Sequence, residues 1–169
     1  MQPIAHIHTD FPTKFGVPRQ SGLVDRLTSA IVFEPEFRNP DYLRGIEGWS
    51  HLWLIWQFHR VAPDDYSPTV LPPKLGGKTR VGVFATRSPE RPNPIALSTA
   101  EVISVDERAG VIELTWLDAL PGSAVLDVKP YIPGVDRVER ALTPAWCAHW
   151  PQSLEASGGF DWDAEFAFR

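Results

Sequence analysis

The sequence predicts a mainly β fold: a compact antiparallel β-barrel-like domain with one or two short helices and a C-terminal arm. Three observations predict it. Seventeen of the 169 residues are proline, about twice the usual ~5%, which multiplies turns and leaves little room for helix. Ser50 to Phe58, SHLWLIWQF, is nearly continuous in large apolar residues, the pattern of a central strand covered on both faces. Val111 to Leu117 alternates cleanly, with Ile112, Leu114 and Trp116 on one face and Glu113 and Thr115 on the other, as a half-buried strand does.

Composition sets the outer limits. At 43% hydrophobic and 22% charged the chain is an ordinary globular one, and its length suits one domain. The division expected is a body over 1–136 and an arm over 137–169. A net charge of −5 argues against broad charge-driven binding to nucleic acid or anionic lipid and leaves room for a local basic patch. Cys147 is the only cysteine, so a disulfide framework and an all-cysteine metal site are excluded. The opening MQPIAHIHTDF lacks the basic start and apolar core of a signal peptide, and no apolar run approaches the ~20 residues of a membrane span. The expectation is a cytoplasmic protein with no membrane partner and no metal.

Pro3 to His8 reads as a first strand that places His6 and His8 on one face. A two-histidine metal site is the alternative there, disfavoured because no third ligand has metal-like spacing. Lys14 to Leu23, KFGVPRQSGL, is a loop punctuated by Gly16, Pro18 and Gly22. Ser29 to Phe33 is a strand. Asn39-Pro40-Asp41 opens a short helix through Leu43 to Ile46, which Gly45 and Gly48 end. The Ser50–Phe58 strand is expected to bury Trp53 and Ile55 at the centre of the fold. His51 and His59 share a face if that strand is regular.

Val61 to Thr79 is a long Pro/Gly-rich loop, a length that marks functional or mobile segments. Gly77-Lys78-Thr79 looks like the tail of a phosphate-binding loop, but the first glycine that motif requires falls on Pro72, so the motif is rejected. Arg80 to Leu97, RVGVFATRSPERPNPIAL, follows. Val81 to Phe84 is a short strand. Pro89, Pro92 and Pro94 then stiffen a loop that carries Arg87 and Arg91 beside Ser88 and Asn93. Arginine presents a planar fork of donors suited to carboxylates and phosphates, so the loop fits a polar, anionic ligand; a surface loop with solvated arginines accounts for it equally well. Lys74, Lys78, Arg80, Arg87 and Arg91 face only Glu90 over this span, the one locally basic segment of an acidic chain.

Ile95 to Val105 and Val111 to Leu117 form an antiparallel hairpin around Asp106 to Gly110. In Leu120 to Asp136, Asp127, Lys129 and Tyr131 alternate and project from one strand face, either as a structural ion pair or as the floor of a site. Pro130 and Pro133 mark an edge or a strand end. From Val138 the chain becomes rich in tryptophan (Trp146, Trp150, Trp162), an arm that packs on the body or on a second subunit.

Four blocks, PRQSGL at Pro18, SHLWLIWQFHR at Ser50, GVFATRSPERPNPIALS at Gly82 and VLDVKPYIP at Val125, together resemble the TsaA-like, or TrmO-like, family over roughly residues 10 to 135. The resemblance implies a β-barrel that binds S-adenosyl-L-methionine without the usual doubly wound sheet. It also implies methylation of the exocyclic nitrogen of threonylcarbamoyladenosine, just 3′ of the tRNA anticodon, by a homodimer. Carried over, the cofactor contacts are Pro18, Arg19 and Gln20, then His59 and Arg60, Arg87, Leu97, and Ser123, Ala124, Val125 and Leu126. A pocket lined by Arg19, His59, Arg87 and Leu126 is therefore expected.

Where the family usually reads Asp-Gly-Thr-Pro, this chain has Pro121-Gly122-Ser123-Ala124; serine keeps the hydroxyl. Several relatives carry an extra C-terminal domain, which a chain ending at Arg169 is expected to lack. An arginine suits the cofactor carboxylate, and Leu97 with Val125 and Leu126 suits the adenine. Asp127, or else His59, is the candidate general base. Lys74, Lys78 and Arg91, with Lys129 and Tyr131, are the expected substrate-facing residues. A non-catalytic nucleotide- or RNA-binding barrel and a small-molecule methyltransferase are the competing readings.

Overall fold

Six strands of alternating direction hydrogen-bond into a closed ring in the computed structural model, which describes residues 1–9, 28–62, 64, 66–115 and 117–166. In chain order the strands are β1 (Ala5–Thr9), β2 (Thr28–Phe33), β3 (His51–Gln57), β4 (Thr69–Val70), β5 (Val81–Gly82), β6 (Ile95–Asp106), β7 (Val111–Thr115) and β8 (Ala124–Pro130). Around the ring the order is β1-β2-β7-β6-β3-β8, with β8 returning to β1, while β4 and β5 form a separate two-stranded ladder. The mainly β, antiparallel, barrel-like prediction is met.

Closure leaves each barrel strand with one inward face, and period-2 alternation decides which residues occupy it. Ile7, Ile31, Leu54, Ile112, Leu114 and Val125 are fully buried there, each stabilising the fold by about 1.5–3 kcal/mol relative to an exposed side chain. On β3 the inward residues are Leu52, Leu54 and Trp56. This corrects the expectation for Trp53 and Ile55, which lie half-buried on the outer wall. There Trp53 packs against Tyr131, ring centroids 5.8 Å apart.

Other expectations shift in detail. The hairpin turns at Asp106, whose Oδ1 accepts from the backbone N–H of Arg108 and Ala109 at 3.0 and 2.9 Å. Helix α1 is Pro40–Leu43, shorter than expected; its Asn39 cap accepts from Asp41 N at 3.0 Å, and Gly45 at φ 90° stops it. Phe37, Leu43 and Ile46 join the core from this β2–β3 connection and close one end of the barrel. The expected strand Val81 to Phe84 stops at Gly82, where the 3₁₀ turn Val83–Ala85 begins. The long loop before it holds β4 and the 3₁₀ turn Pro73–Leu75.

After β8 come three short helices, α2 (Pro133–Asp136), α3 (Leu154–Gly158) and α4 (Trp162–Glu165). Trp150 gathers Trp146, Trp162 and Phe166 at centroid distances of 5.4, 5.3 and 5.6 Å. Glu165 ties this cluster to the body. Its Oε1 accepts from Lys74 Nζ at 2.5 Å, from the Trp150 indole N–H at 2.5 Å and from His149 Nε2 at 3.0 Å. The Lys74 ammonium and these two further donors hold the Glu165 carboxyl at about 2, well below its ordinary 4.5.

Candidate cofactor and substrate site

Among the described residues, the end of the barrel away from α1 is open. There β1, β3 and β7 finish and β6 and β8 begin, and their ends surround a cavity of about 550 Å³, within the usual size of a small-molecule site. Antiparallel alternation produces this gathering, because every second strand delivers its C-terminal end to the same mouth. Among the described residues, apolar walls come from Trp56, Phe58, Ile95, Leu97 and Leu117, the charged groups are Arg60, Arg87, Arg91 and Asp118, and His59 adds an imidazole.

The Trp56 indole N–H reaches across to Ser98 Oγ at 3.0 Å, so the tryptophan that closes the barrel core also carries a satisfied polar edge. Arg87 and Arg91 extend from the proline-rich loop, whose shape is set locally. Thr86 Oγ1 donates to Val83 O at 2.8 Å and accepts from Ser88 N at 3.2 Å, and Arg91 Nη1 donates to Thr86 O at 3.4 Å. Val83 is 3% exposed and anchors the loop, while Phe84 beside it is 79% exposed.

Ser123 is the buried polar centre of the opposite wall, 1% exposed. Its hydroxyl donates to Leu120 O at 2.7 Å, and its Oγ lies 3.2 Å from His59 Nδ1. A hydroxyl has one proton. With that proton committed to Leu120, the contact to His59 runs from Nδ1–H to Ser123, so that in the neutral ring the lone pair lies on Nε2.

Of the cofactor residues expected from sequence, His59, Arg60, Arg87, Leu97 and Ser123 line the cavity, and so does Arg91 from the substrate set. Val125 is fully buried in the core beneath it. Ala124 and Leu126 are partly buried and do not line it. Leu126 is the additional residue of a β-bulge, since Ile55 pairs with Asp127 and Trp56 with Val125. Pro18, Arg19 and Gln20 lie outside the described residues.

Asp127 lies on the outer wall opposite Ile55, where it pairs with Lys129 at 2.6 Å; neither lines the cavity, and neither does Tyr131. Lys74 is engaged by Glu165, and Lys78 is exposed. His59 sits in the turn after Gln57 rather than on β3 with His51. Sequence reasoning missed Asp118, Trp56 and Ser98 as lining residues. Asp118 carried a usable signal, since it falls just past an alternating strand, where a barrel gathers its loops.

A comparison with protein families matches residues 6–137 to the family described as the tRNA-methyltransferase O N-terminal domain. This chain belongs to that family. It is 41% identical over 158 residues to the tRNA (adenine(37)-N6)-methyltransferase of Escherichia coli (strain K12), covering 92% of this chain and 65% of that protein. It is 34% identical over 140 residues to an S-adenosyl-L-methionine-binding protein of Archaeoglobus fulgidus, covering 83% of this chain and 94% of that one. The solved structure of TrmO from Pseudomonas aeruginosa superposes with a TM-score of 0.66 at 35% identity, over 83% of this chain and 59% of that one. The chain thus spans less than two thirds of the length of the Escherichia coli enzyme and of the solved TrmO.

Proposed function

We propose that this protein binds S-adenosyl-L-methionine in the barrel-mouth cavity and methylates the exocyclic nitrogen of threonylcarbamoyladenosine beside the tRNA anticodon. The observation that carries the reading is the meeting of His59, Arg60, Arg87, Leu97 and Ser123 around one cavity of about 550 Å³, although they come from three separate stretches of sequence. Apolar walls from Trp56, Phe58 and Leu97 suit the adenine. An arginine fork suits the carboxylate of the methionine moiety. Methyl transfer is an in-line displacement, so holding donor and acceptor in line supplies most of the acceleration. The names of the relatives support the coarser part of this reading, methylation of a tRNA adenine and binding of the cofactor.

The tRNA would approach over the proline-rich loop. Lys78, Arg80 and Arg91 supply cations there, which position a phosphate backbone, while the unpaired target base enters the mouth. The homodimer is part of this proposal, supported by the exposed apolar side chains of Phe84, Val135, Val138 and Leu142. So is the division into a barrel over 1–136 and an arm over 137–169 held by Glu165.

The test incubates the protein with methyl-labelled cofactor and tRNA, with or without the threonylcarbamoyl group, then digests the RNA and identifies the labelled nucleoside. Label in methylated threonylcarbamoyladenosine alone supports the full proposal, and label in unmodified adenosine removes the threonylcarbamoyl requirement. Cofactor binding with no labelled RNA would favour the non-catalytic reading, which the Archaeoglobus fulgidus relative's name supports.

A further inference from the structure

We infer that His59 Nε2 is the proton acceptor of the methyl transfer, held in the required tautomer by the Ser123–Leu120 hydrogen-bond chain. The inference rests on the methyltransferase reading and goes beyond it by assigning the base. Asp127, the other candidate, is on the outer wall, bonded to Lys129 at 2.6 Å and absent from the cavity lining. His59 lines the cavity. Among the described residues its ring makes one hydrogen bond, through Nδ1 to Ser123.

The donor count fixes the direction of that bond. Ser123 gives its only hydroxyl proton to Leu120 O at 2.7 Å, so it accepts from His59 at 3.2 Å. A neutral imidazole that donates from Nδ1 presents a lone pair at Nε2. Leu120 and Ser123 belong to one tight turn, closed by Ser123 N to Leu120 O at 3.1 Å, and Gly122 at φ 81° allows it. The serine is thus aimed by the backbone, and it aims the imidazole in turn. Among the described residues, the charged groups that share this cavity are Arg60 on the same turn, Arg87 and Arg91 on the proline-rich loop, and Asp118 on the β7–β8 connection.

The acceptor nitrogen is conjugated to a carbonyl and is a poor nucleophile while it keeps its proton. In the step, the N–H bond breaks and its electron pair forms the new N–CH₃ bond. The methyl–sulfur bond breaks, its electrons neutralise the sulfonium, and neutral S-adenosylhomocysteine leaves. The proton passes to Nε2, giving an imidazolium whose Nδ1–H still donates to Ser123, and solvent then takes it up.

The test is single-turnover methylation of threonylcarbamoyladenosine-containing tRNA at saturating cofactor, from pH 5.5 to 8.5, with the parent and His59→Ala. Cofactor affinity is measured calorimetrically alongside. The parent rate should rise with pH as the ring gives up its proton. His59→Ala should lose that rise, slow by about 10²-fold or more, and recover part of the rate on addition of free imidazole, which a purely structural role would not permit. A ring ¹⁵N spectrum of the parent should show His59 protonated at Nδ1 when neutral, and Ser123→Ala should mix the two tautomers. An unchanged saturated rate in His59→Ala, or a loss confined to cofactor affinity, overturns the assignment, as does a parent neutral ring protonated at Nε2. A parent that binds cofactor and labels no tRNA overturns the methyltransferase reading itself, and this assignment with it.

Discussion

Gly110 offers a quantitative test of the barrel geometry at the end remote from the cavity. It closes the β6–β7 hairpin at φ 67°, donating to Asp106 O and accepting from Phe33 N, each at 2.9 Å. An alanine Cβ there would stand 2.6 Å from Arg38 Cγ, 3.1 Å from its Cβ and 3.3 Å from its Cα. The left-handed backbone alone costs an alanine roughly 1–2 kcal/mol. Arg38 Cγ can swing aside only by giving up the part-buried Nε–H bond to Phe33 O at 2.7 Å, which is worth about 1 kcal/mol net.

Gly110→Ala should therefore lose about 2–3 kcal/mol. At ~2–4 °C per kcal/mol for a chain of this size, the Tm falls by roughly 4–12 °C. In an Arg38→Ala background the increment should shrink by about 1 kcal/mol, because Cγ and the hydrogen bond it carries are gone while the tight contacts to Cβ and Cα remain. Cofactor affinity at 25 °C should not change in either background, because the altered turn is at the other end of the barrel. Thermal melts of the four proteins in this cycle provide the assay. A Tm shift under about 2 °C, or an increment equal in both backgrounds, refutes the reasoning.

Arg87→Ala should weaken cofactor binding about tenfold, the lower end for a charged hydrogen bond because Arg87 is exposed at the rim; unchanged affinity by calorimetry removes it from the carboxylate site. Lys78→Glu should cut tRNA methylation at moderate salt while leaving cofactor affinity intact, and equal methylation would place the RNA elsewhere. Lys74→Glu should act differently, since the new carboxylate confronts Glu165; tryptophan emission should shift as the arm loosens, and an unaltered spectrum would show that this pair does not hold it. The stabilisation from Glu165, whose carboxyl is held at about 2 against an ordinary 4.5, is fully present above pH ~4.5 and lost as pH falls through about 2. Glu165→Gln should flatten the tryptophan signal across that window, and a parent signal already flat there contradicts the depressed carboxyl.

Local patterns were legible and phases were not. The alternation of β7, the Asp106 to Gly110 turn and the Asn39 cap followed from side-chain chemistry within a few residues, and each stands in the fold. The β3 run carries no phase, because Leu52 through Trp56 are all apolar. Only closure of the ring decides that Leu54 points inward and Trp53 outward. The cavity was legible where a motif supplied the residue, as at His59 and Arg87. It was not legible at Asp118, nor at the pair Trp56 and Ser98, which are 42 positions apart. The partner of Lys74 was equally hidden: Lys74 read as a free cation because Glu165 is remote in sequence, and tertiary packing alone brings them together.

The seam between β1 and β8 rests on two residue pairs, Ala5 with Val125 and His6 with Ala124, reinforced by Ile4 N to Val125 O at 2.8 Å and Ile7 N to Ser123 O at 2.9 Å. Every other junction around the ring joins at least four pairs. The shortest ladder therefore also spans the greatest separation along the chain, and non-local closure of this kind slows folding. During synthesis the ring cannot shut until β8 has left the ribosome, so β1 waits with an unpaired edge. Amide hydrogens at this seam should exchange ahead of those between β3 and β6. Ser123 and Leu120 lie beside it, so the slowest join to form is also the one that completes the wall of the cavity.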